Sequence, residues 1–403
     1  MELFWLEHKK LWRKKIVKIC VLLCFVYCVI FGSILSFQWF CFGSSDDYTS
    51  AFGNNFDGYT VIKDSQEYAL SFGGELTDET LQKIVSDYQQ MEADGMGEEL
   101  EKTDWQIVNS WLGTLYPELR DTSNYKTMIS YVDPDKLTGF YERRQQVLDE
   151  FLEVSGQVGA EKEFLHQIER KVEKPFRYEW VEGWSTLLGS MVADLGVVMA
   201  LFLGIVLSSL FAGEWHDNTS TLVLTTRNGW GKIALAKILT GLAFTVELFA
   251  LLAVSIVISQ LFFMGTAGWN MPIQNIKLIA VAPMNMLQAE IYEYAFVLLG
   301  AIGFAGIVMF ISAAVKNNVL TLLLSLAVVY GPMMIAEYLP YEMQKALDLI
   351  PLVGSSTDIF RTNTFRIFGK LIWSPYLLIT IPVLIGILCM PFAIKSWSRR
   401  MKA

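Results

Sequence analysis

Histidines, which are common in catalytic sites, are few and widely separated in this chain. Its three histidines are His8, His166 and His216. Gly231-Lys232 has a superficial likeness to a phosphate-binding loop, but Thr226 stands where the first glycine is required and Ile233 follows the lysine. The sequence has no His-Glu-x-x-His pair and no Gly-x-Ser-x-Gly elbow. These patterns predict no catalytic site, no bound metal and no ATP hydrolysis on this chain.

Cysteine usage also favours packing over chemistry. Cys20, Cys24 and Cys28 recur every four residues and therefore share one face of a helix. We interpret them as small packing residues of a membrane helix, with a metal or lipid-attachment site as the alternative. Between residues 41 and 183 only Cys41 is a cysteine, so no disulfide can form within that stretch.

The most informative polar segment runs from Phe211 to Lys232, with the sequence FAGEWHDNTSTLVLTTRNGWGK. It lies between two apolar runs and is predicted to form a short amphipathic turn and helix. Such a segment would expose an acid, hydroxyls and bases to a docking partner: Glu214, Thr219, Thr225, Arg227 and Lys232. The alternative is that these are ordinary solvated charges of a connecting loop.

Two acids lie inside apolar runs, and both are predicted near the middle of the membrane. Asp194 is about ten residues into one run and Glu247 about fourteen into the next, which at ~1.5 Å per residue is roughly half of the bilayer. A bare carboxylate at that depth costs several kcal/mol, so each must be protonated, paired or directed at a polar cavity. They are either acids of a translocation path or neutral groups hydrogen-bonded between helices.

The elements that must position these residues are six predicted membrane spans. The first lies within 19–40, and its core from Ile19 to Phe37 is ~28 Å long at ~1.5 Å per residue. The other five apolar runs are Trp184–Phe211, Ile233–Met264, Tyr292–Ala314, Val319–Ile335 and Leu371–Ile394. The fold class that follows is an all-α integral membrane protein.

Basic residues predict which side of the membrane each connection occupies. The stretch 1–18 is basic with interleaved aromatic residues, as in a helix lying on the cytoplasmic surface. With that end inside, 41–183 falls outside, 212–232 inside, and the C-terminus inside. The outer stretch 339–370 has apolar patches and is predicted to dip back towards the membrane as short re-entrant helices.

The stretch 41–183 differs sharply in charge from the rest of the chain. It holds 29 acidic against 13 basic residues, whereas the remainder holds 12 against 19. This acidic balance argues against nucleic-acid binding, which requires a basic surface. Helical periodicity, as in Leu81, Ile84, Val85 and Tyr88 after the candidate N-cap Thr77, predicts a mostly helical extracellular domain.

At the Phe211–Lys232 segment the chain resembles the permease subunits of type-2 ABC exporters. Those subunits carry a Phe-x-x-Glu run, an Asn-Thr or Gly-Thr pair, a Leu-rich stretch with Thr or Ser and a base, and a lysine that opens the next span. The resemblance implies that 212–232 is a coupling loop and that Glu214, Thr219, Thr225 and Arg227 contact the ATPase. After Thr226 the family often has proline, where this chain has Arg227.

The resemblance extends to the basic N-terminus, the six spans and the large outer domain, which is similar to that of Gram-positive members. It implies a second permease subunit, and a separate cytosolic ATPase chain that binds ATP and Mg²⁺. The function expected is outward transport of a peptide or amphipathic small molecule across the plasma membrane of a bacterium. The alternatives are a membrane-anchored receptor or assembly factor without transport, and a proton-coupled secondary transporter.

Overall fold

The chain is mostly helical, as the periodicity of its sequence predicts. The structure is a computed structural model that describes residues 2–42, 58–71, 73–96, 100, 105–216, 231–354 and 363–400. Within these ranges the only paired strands form two small antiparallel ladders. The helices divide into a bundle of long apolar helices and a smaller unit, residues 58–183, which we call the 58–183 domain.

The bundle contains the longest helices of the chain. Their bounds are α1 Glu2–Arg13, α2 Lys15–Phe42, α9 Val192–His216, α10 Lys232–Met264, α11 Met286–Ala314, α12 Asn318–Ile335 and α14 Ser374–Arg400, and the remaining labels belong to the elements described below. Five of them, α9 to α12 and α14, are long and apolar enough to cross a membrane. These five helices indicate a membrane protein. Helix α2 covers the predicted first span, but a sixth span remains a prediction.

Most residues of α9 and α11 face other helices, so these two form the centre of the bundle. The tightest contact joins α11 to α14, where Gly303 and Gly306 of α11 meet Pro382 and Gly386 of α14. A Cβ atom added to Gly386 would stand 2.5 Å from the Gly303 Cα, far inside contact distance. Small residues therefore allow the two backbones to touch, as is common between membrane helices.

The 58–183 domain has its own apolar core of amphipathic helices. Its helices are α3 Gly58–Ser71, α4 Asp78–Ala93, α5 Trp105–Leu115, α6 Phe140–Val154 and α7 Ala160–Glu169. Helix α8, Glu182–Thr186, leads from the domain into the bundle. Thr77 caps α4, as predicted, by accepting a hydrogen bond from the Thr80 N–H. Strand β1, Gly74–Glu75, pairs with β2, Arg177–Tyr178, and this ladder closes the domain.

The segment after α12 packs back onto the bundle, but not through helices alone. Helix α13, Tyr341–Leu347, is followed by a turn whose residues Leu352 and Val353 are buried. The prediction of re-entrant helices over 339–370 is wrong for its end. Strands β3, Thr364–Ile367, and β4, Lys370–Trp373, form a hairpin there, whose turn has Phe368 and Gly369 at positive φ.

The long helices alternate between two ends of the bundle. One end, which we call the loop end, holds α1, the end of α9, the start of α10 and the end of α14, where Trp397 packs against Phe211. The other, the domain end, packs against the 58–183 domain. Helix α11 contains the predicted apolar run Tyr292–Ala314 and begins six residues before it, at Met286.

Candidate functional site

The predicted coupling loop, 212–232, begins and ends in helices. Residues 212–216 are the last turn of α9, and Lys232 is the exposed first residue of α10. Thr219, Thr225 and Arg227 lie outside the described residues, so their roles stay predictions. What the structure defines is the pair of helix ends from which the loop departs.

Glu214 lies in the interior and not on the surface that a partner would reach. Its side chain is 4% exposed, and its Oε1 accepts hydrogen bonds from Lys10 Nζ at 2.5 Å and from Lys237 Nζ at 2.8 Å. The expectation that Glu214 is displayed to a docking partner is therefore corrected. A carboxylate buried among apolar helices is stable only when cations hold it, and here two lysines do so.

Lys237 completes the network by binding a second acid. Its Nζ donates to Glu7 Oε2 at 2.8 Å, and its own side chain is 2% exposed. Glu7 and Lys10 are three residues apart on α1, so both lie on the face of this helix that meets α10. We call Glu7, Lys10, Glu214 and Lys237 the loop-end cluster; it holds two acids and two bases.

The loop-end cluster ties three helices together at the base of the loop. Ser312 of α11 adds a fourth, because its hydroxyl accepts from the Phe211 and Ala212 N–H groups, each at 3.1 Å. The same hydroxyl donates to the Ser208 carbonyl at 2.7 Å. A displacement of the segment between α9 and α10 would thus act on α1, α10 and α11 together.

Helix α1 therefore packs on the bundle through its charged face. Leu11 is buried, and Lys14 Nζ donates to Ser209 Oγ at 3.0 Å. Trp5 and Leu6 remain exposed on the other side of α1, where Lys9 is exposed as well. A face that combines apolar and basic side chains is suited to the membrane surface predicted for residues 1–18.

Glu247 also contacts α1, on α10 above the loop-end cluster. It lies 3.2 Å from His8 Nε2 and accepts a hydrogen bond from Trp12 Nε1 at 3.0 Å. Its side chain is 43% exposed, so it does not line an enclosed interior site. The pairing expected for a carboxylate in this helix is present, and its partners come from the N-terminal helix.

Asp194 lies in the first turn of α9, at the domain end, and is half-buried. It is near Tyr27 of α2, and no ion pair to Asp194 occurs among the described residues. The structure therefore does not join Asp194 and Glu247 into one site.

Two acids that the sequence analysis missed are more deeply buried than either of these. Glu290 and Glu293 lie near the start of α11 and are 5% and 0% exposed. Apart from Tyr294, no residue in the described part of the chain stands in hydrogen-bonding position to their carboxylate oxygens. The sequence held one signal for them: Asn285 and Gln288 form a capping box that starts α11 at Met286 and so places both glutamates inside it.

A third buried charge network attaches the 58–183 domain to the bundle. Arg144 is fully buried and donates to Glu169 Oε1 at 2.6 Å and to the carbonyls of Leu278 and Ala280 at 2.7 and 3.1 Å. Burial acts to raise the pKa of Glu169, but hydrogen bonds from Lys174 and Arg144 outweigh it and leave that pKa lowered. Burial is also the main cause that lowers the pKa of Arg144, which Glu169 opposes.

The residues of the described ranges contain no group of three or more His, Cys, Asp or Glu side chains arranged to hold a metal ion. Comparison of the chain with protein-family models, with curated proteins and with solved structures finds no match.

Proposed function

We propose that this chain is the membrane-spanning subunit of an ATP-driven exporter of the type-2 ABC class, working with a separate cytosolic ATPase. The observation that carries the proposal is the loop-end cluster. It fastens the two helices that flank residues 217–230 to each other and to α1, so that a motor pressing on this loop would move whole helices.

The cluster is suited to transmitting force because its central pair, Glu214 and Lys237, is buried and its two acids are balanced by two bases. Lys237 and Glu214 join α10 to α9, and Lys10 and Glu7 join both helices to α1. Ion pairs that are buried and shared between helices resist separation, since parting them would leave uncompensated charges. In this proposal Thr219, Thr225 and Arg227 contact the ATPase, while Glu214 positions the loop from within.

The proposed assembly is two permease subunits and two ATPase subunits in a bacterial plasma membrane. The loop end, with both termini, faces the cytoplasm, and the 58–183 domain faces outward. ATP and Mg²⁺ would bind the ATPase, and the cargo would be a peptide or amphipathic small molecule.

Affinity purification of the tagged full-length chain from its native membrane tests the proposal. We expect a stoichiometric partner with a phosphate-binding-loop motif and ATPase activity. Replacing residues 217–230 by a Gly/Ser segment of equal length should release this partner while the chain still purifies as a folded protein. Arg227→Ala should weaken the association, whereas Arg399→Ala, an exposed arginine at the same end of the bundle, serves as the matched control.

Two results would contradict the proposal. One is an ATPase that stays bound after the whole loop is replaced. The other is labelling of a cysteine introduced at position 227 by a membrane-impermeant maleimide added outside intact cells, because the loop would then lie on the side without ATP.

A proton-coupled secondary transporter is the second candidate, favoured by the buried and unpaired Glu290 and Glu293. It predicts that no ATPase co-purifies and that transport by reconstituted protein stops when the proton gradient is collapsed. The exporter instead predicts transport that requires ATP and continues without that gradient.

A further inference from the structure

Glu290 and Glu293 are an unusual pair because both are buried and neither forms an ion pair with a cationic side chain of the described residues. They are three residues apart on α11 and therefore lie on one face of the helix. Apart from Tyr294, no described residue stands in hydrogen-bonding position to their carboxylate oxygens. At the loop end, by contrast, every buried acid of the cluster is bound by a lysine.

Tyr294, on the same helix, places a third polar group beside the two glutamates. The hydroxyl of Tyr294 is buried and lies within hydrogen-bonding reach of Glu290. It also interacts electrostatically with both glutamates. Its ring packs edge-to-face against Phe249 of α10, with centroids 6.1 Å apart. Five buried oxygen atoms that could accept hydrogen bonds thus lie beside two aromatic rings.

The local charge is not balanced by the chain's own bases. Lys277, in the connection between α10 and α11, acts on Glu293 from a distance. Nevertheless, no cationic side chain of the described ranges lies within 4.0 Å of either carboxylate. A carboxylate inside a membrane helix bundle is stable when ionised only if a cation accompanies it.

We propose that Glu290, Glu293 and Tyr294 form a binding site for the ammonium group of an amphipathic organic cation. The carboxylates and the phenol supply acceptors for its N–H donors, and the rings of Tyr294 and Phe249 favour a cation that carries an apolar body. The apolar faces of α10 and α11 would take that body. Binding itself does not depend on an ATPase, whereas the role of the site as the cargo site of an exporter rests on the proposed function.

Thermal unfolding of the purified full-length chain, without any ATPase, tests the site. The probe is benzylamine at neutral pH, where it is a cation, and its neutral control is benzyl alcohol of the same shape. We expect benzylammonium to raise the melting temperature saturably by a few degrees, because a ligand that binds only the folded state stabilises it. Benzyl alcohol should have no such effect.

Three variants locate the effect. Glu290→Gln and Glu293→Gln keep the side-chain shape but remove the charge, and each should weaken benzylammonium binding at least tenfold. Glu337→Gln, an exposed acid near the end of α12, should bind like the unmodified chain. The comparison of the two probes on the unmodified chain does not depend on whether a variant folds.

Several outcomes would overturn the proposal. The site is wrong if benzylammonium and benzyl alcohol act alike, or if the stabilisation persists in both glutamine variants. A saturable shift with NaCl or KCl that needs both glutamates, without one for benzylammonium, would replace the organic cation by an inorganic one. Because no ATPase is present, failure of this site leaves the loop-replacement experiment as an independent test of the exporter.

Discussion

The two ends of the same helical bundle treat buried charge in opposite ways. At the loop end, Glu214 is held by Lys10 and Lys237 and is only 4% exposed. Near the domain end, Glu290 and Glu293 are equally buried, but neither forms an ion pair with a cationic side chain of the described residues. The loop-end cluster joins helices, whereas Glu290 and Glu293 have carboxylate oxygens that could still accept hydrogen bonds from a ligand.

Whether a buried acid has a cationic partner can distinguish a structural acid from a functional one in a membrane protein. A buried ion pair between helices fixes their relative position, and losing one partner leaves an uncompensated charge. An unpaired buried acid contributes nothing to that fixing and lowers stability, so a binding function is the economical reason for it. The comparison can be tested by removing each group in turn.

The largest effect is expected when the loop-end cluster is broken. Lys237→Met leaves Glu214 with one lysine and removes the cation that binds Glu7, and we expect the free energy of unfolding to fall by about 3–5 kcal/mol. Denaturant unfolding in detergent measures it, and Lys232→Met, an exposed lysine on the same helix, should change it by less than about 0.5 kcal/mol. The double variant Glu214→Gln/Lys237→Met should recover part of the loss. A loss below about 1 kcal/mol in Lys237→Met would contradict the assigned role of the cluster.

A second paired group lies outside the membrane helices, where pH can test it. Glu169→Gln should cost about 3 kcal/mol, because Arg144 stays buried without its acid. In the unmodified chain the pKa of Glu169 is lowered by folding, so its stabilisation is complete above the usual value near 4.5. It is lost as the pH falls through the lower folded-state pKa.

Near-ultraviolet circular dichroism of the full chain against pH follows that loss. In Glu169→Gln, the circular-dichroism signal should change less than in the unmodified chain as the pH falls into the acid range. Glu163→Gln, which removes a 54% exposed partner of Arg170, is the control and should leave the curve unchanged. An identical acid limb in the Glu169 and Glu163 variants would show that this pair does not couple folding to pH.

The unpaired acids predict a change of opposite sign. Glu293→Met should raise the free energy of unfolding by about 1 kcal/mol in the absence of ligand, because it removes a buried group that lacks a partner. The same denaturant unfolding measures it, with the Lys237→Met variant as the contrast. A loss of stability comparable to that of Lys237→Met would mean that Glu293 is held by contacts of its own.

The smallest effect is expected at the exposed pair between α1 and α10. Glu247→Gln removes the charge next to His8 but keeps the acceptor for Trp12 Nε1. Since the Glu247 side chain is 43% exposed and glutamine still accepts from Trp12, the cost should stay below about 1 kcal/mol. A much larger cost would make this contact a principal attachment of α1.

Much of the architecture could be predicted from local sequence. Apolar runs of membrane length set the positions of the long helices, and the N-cap Thr77 marked the start of α4. Both signals depend only on neighbouring residues along the chain, so tertiary contacts elsewhere in the molecule do not change them. A local signal can also mark only a turn. Asp133-Pro134 is typical of a helix start, with proline at the first helical position. In the structure it begins only the short 3-10 turn Pro134–Lys136, and α6 begins after Gly139, which has positive φ.

Which acids are buried, and which of them are paired, could be seen only in the tertiary structure. In sequence, Asp194 and Glu247 stood out because they interrupt apolar runs, yet Glu247 is 43% exposed and pairs with His8. Glu214 was expected on the surface, although lysines 204 residues before it and 23 residues after it hold it in the interior. Whether a carboxylate is paired depends on residues far away in the chain, and periodicity carries no information about such contacts. The positions of the helices along the chain thus follow from local sequence. Tertiary packing determines whether a buried acid forms an ion pair between helices or stays without a partner.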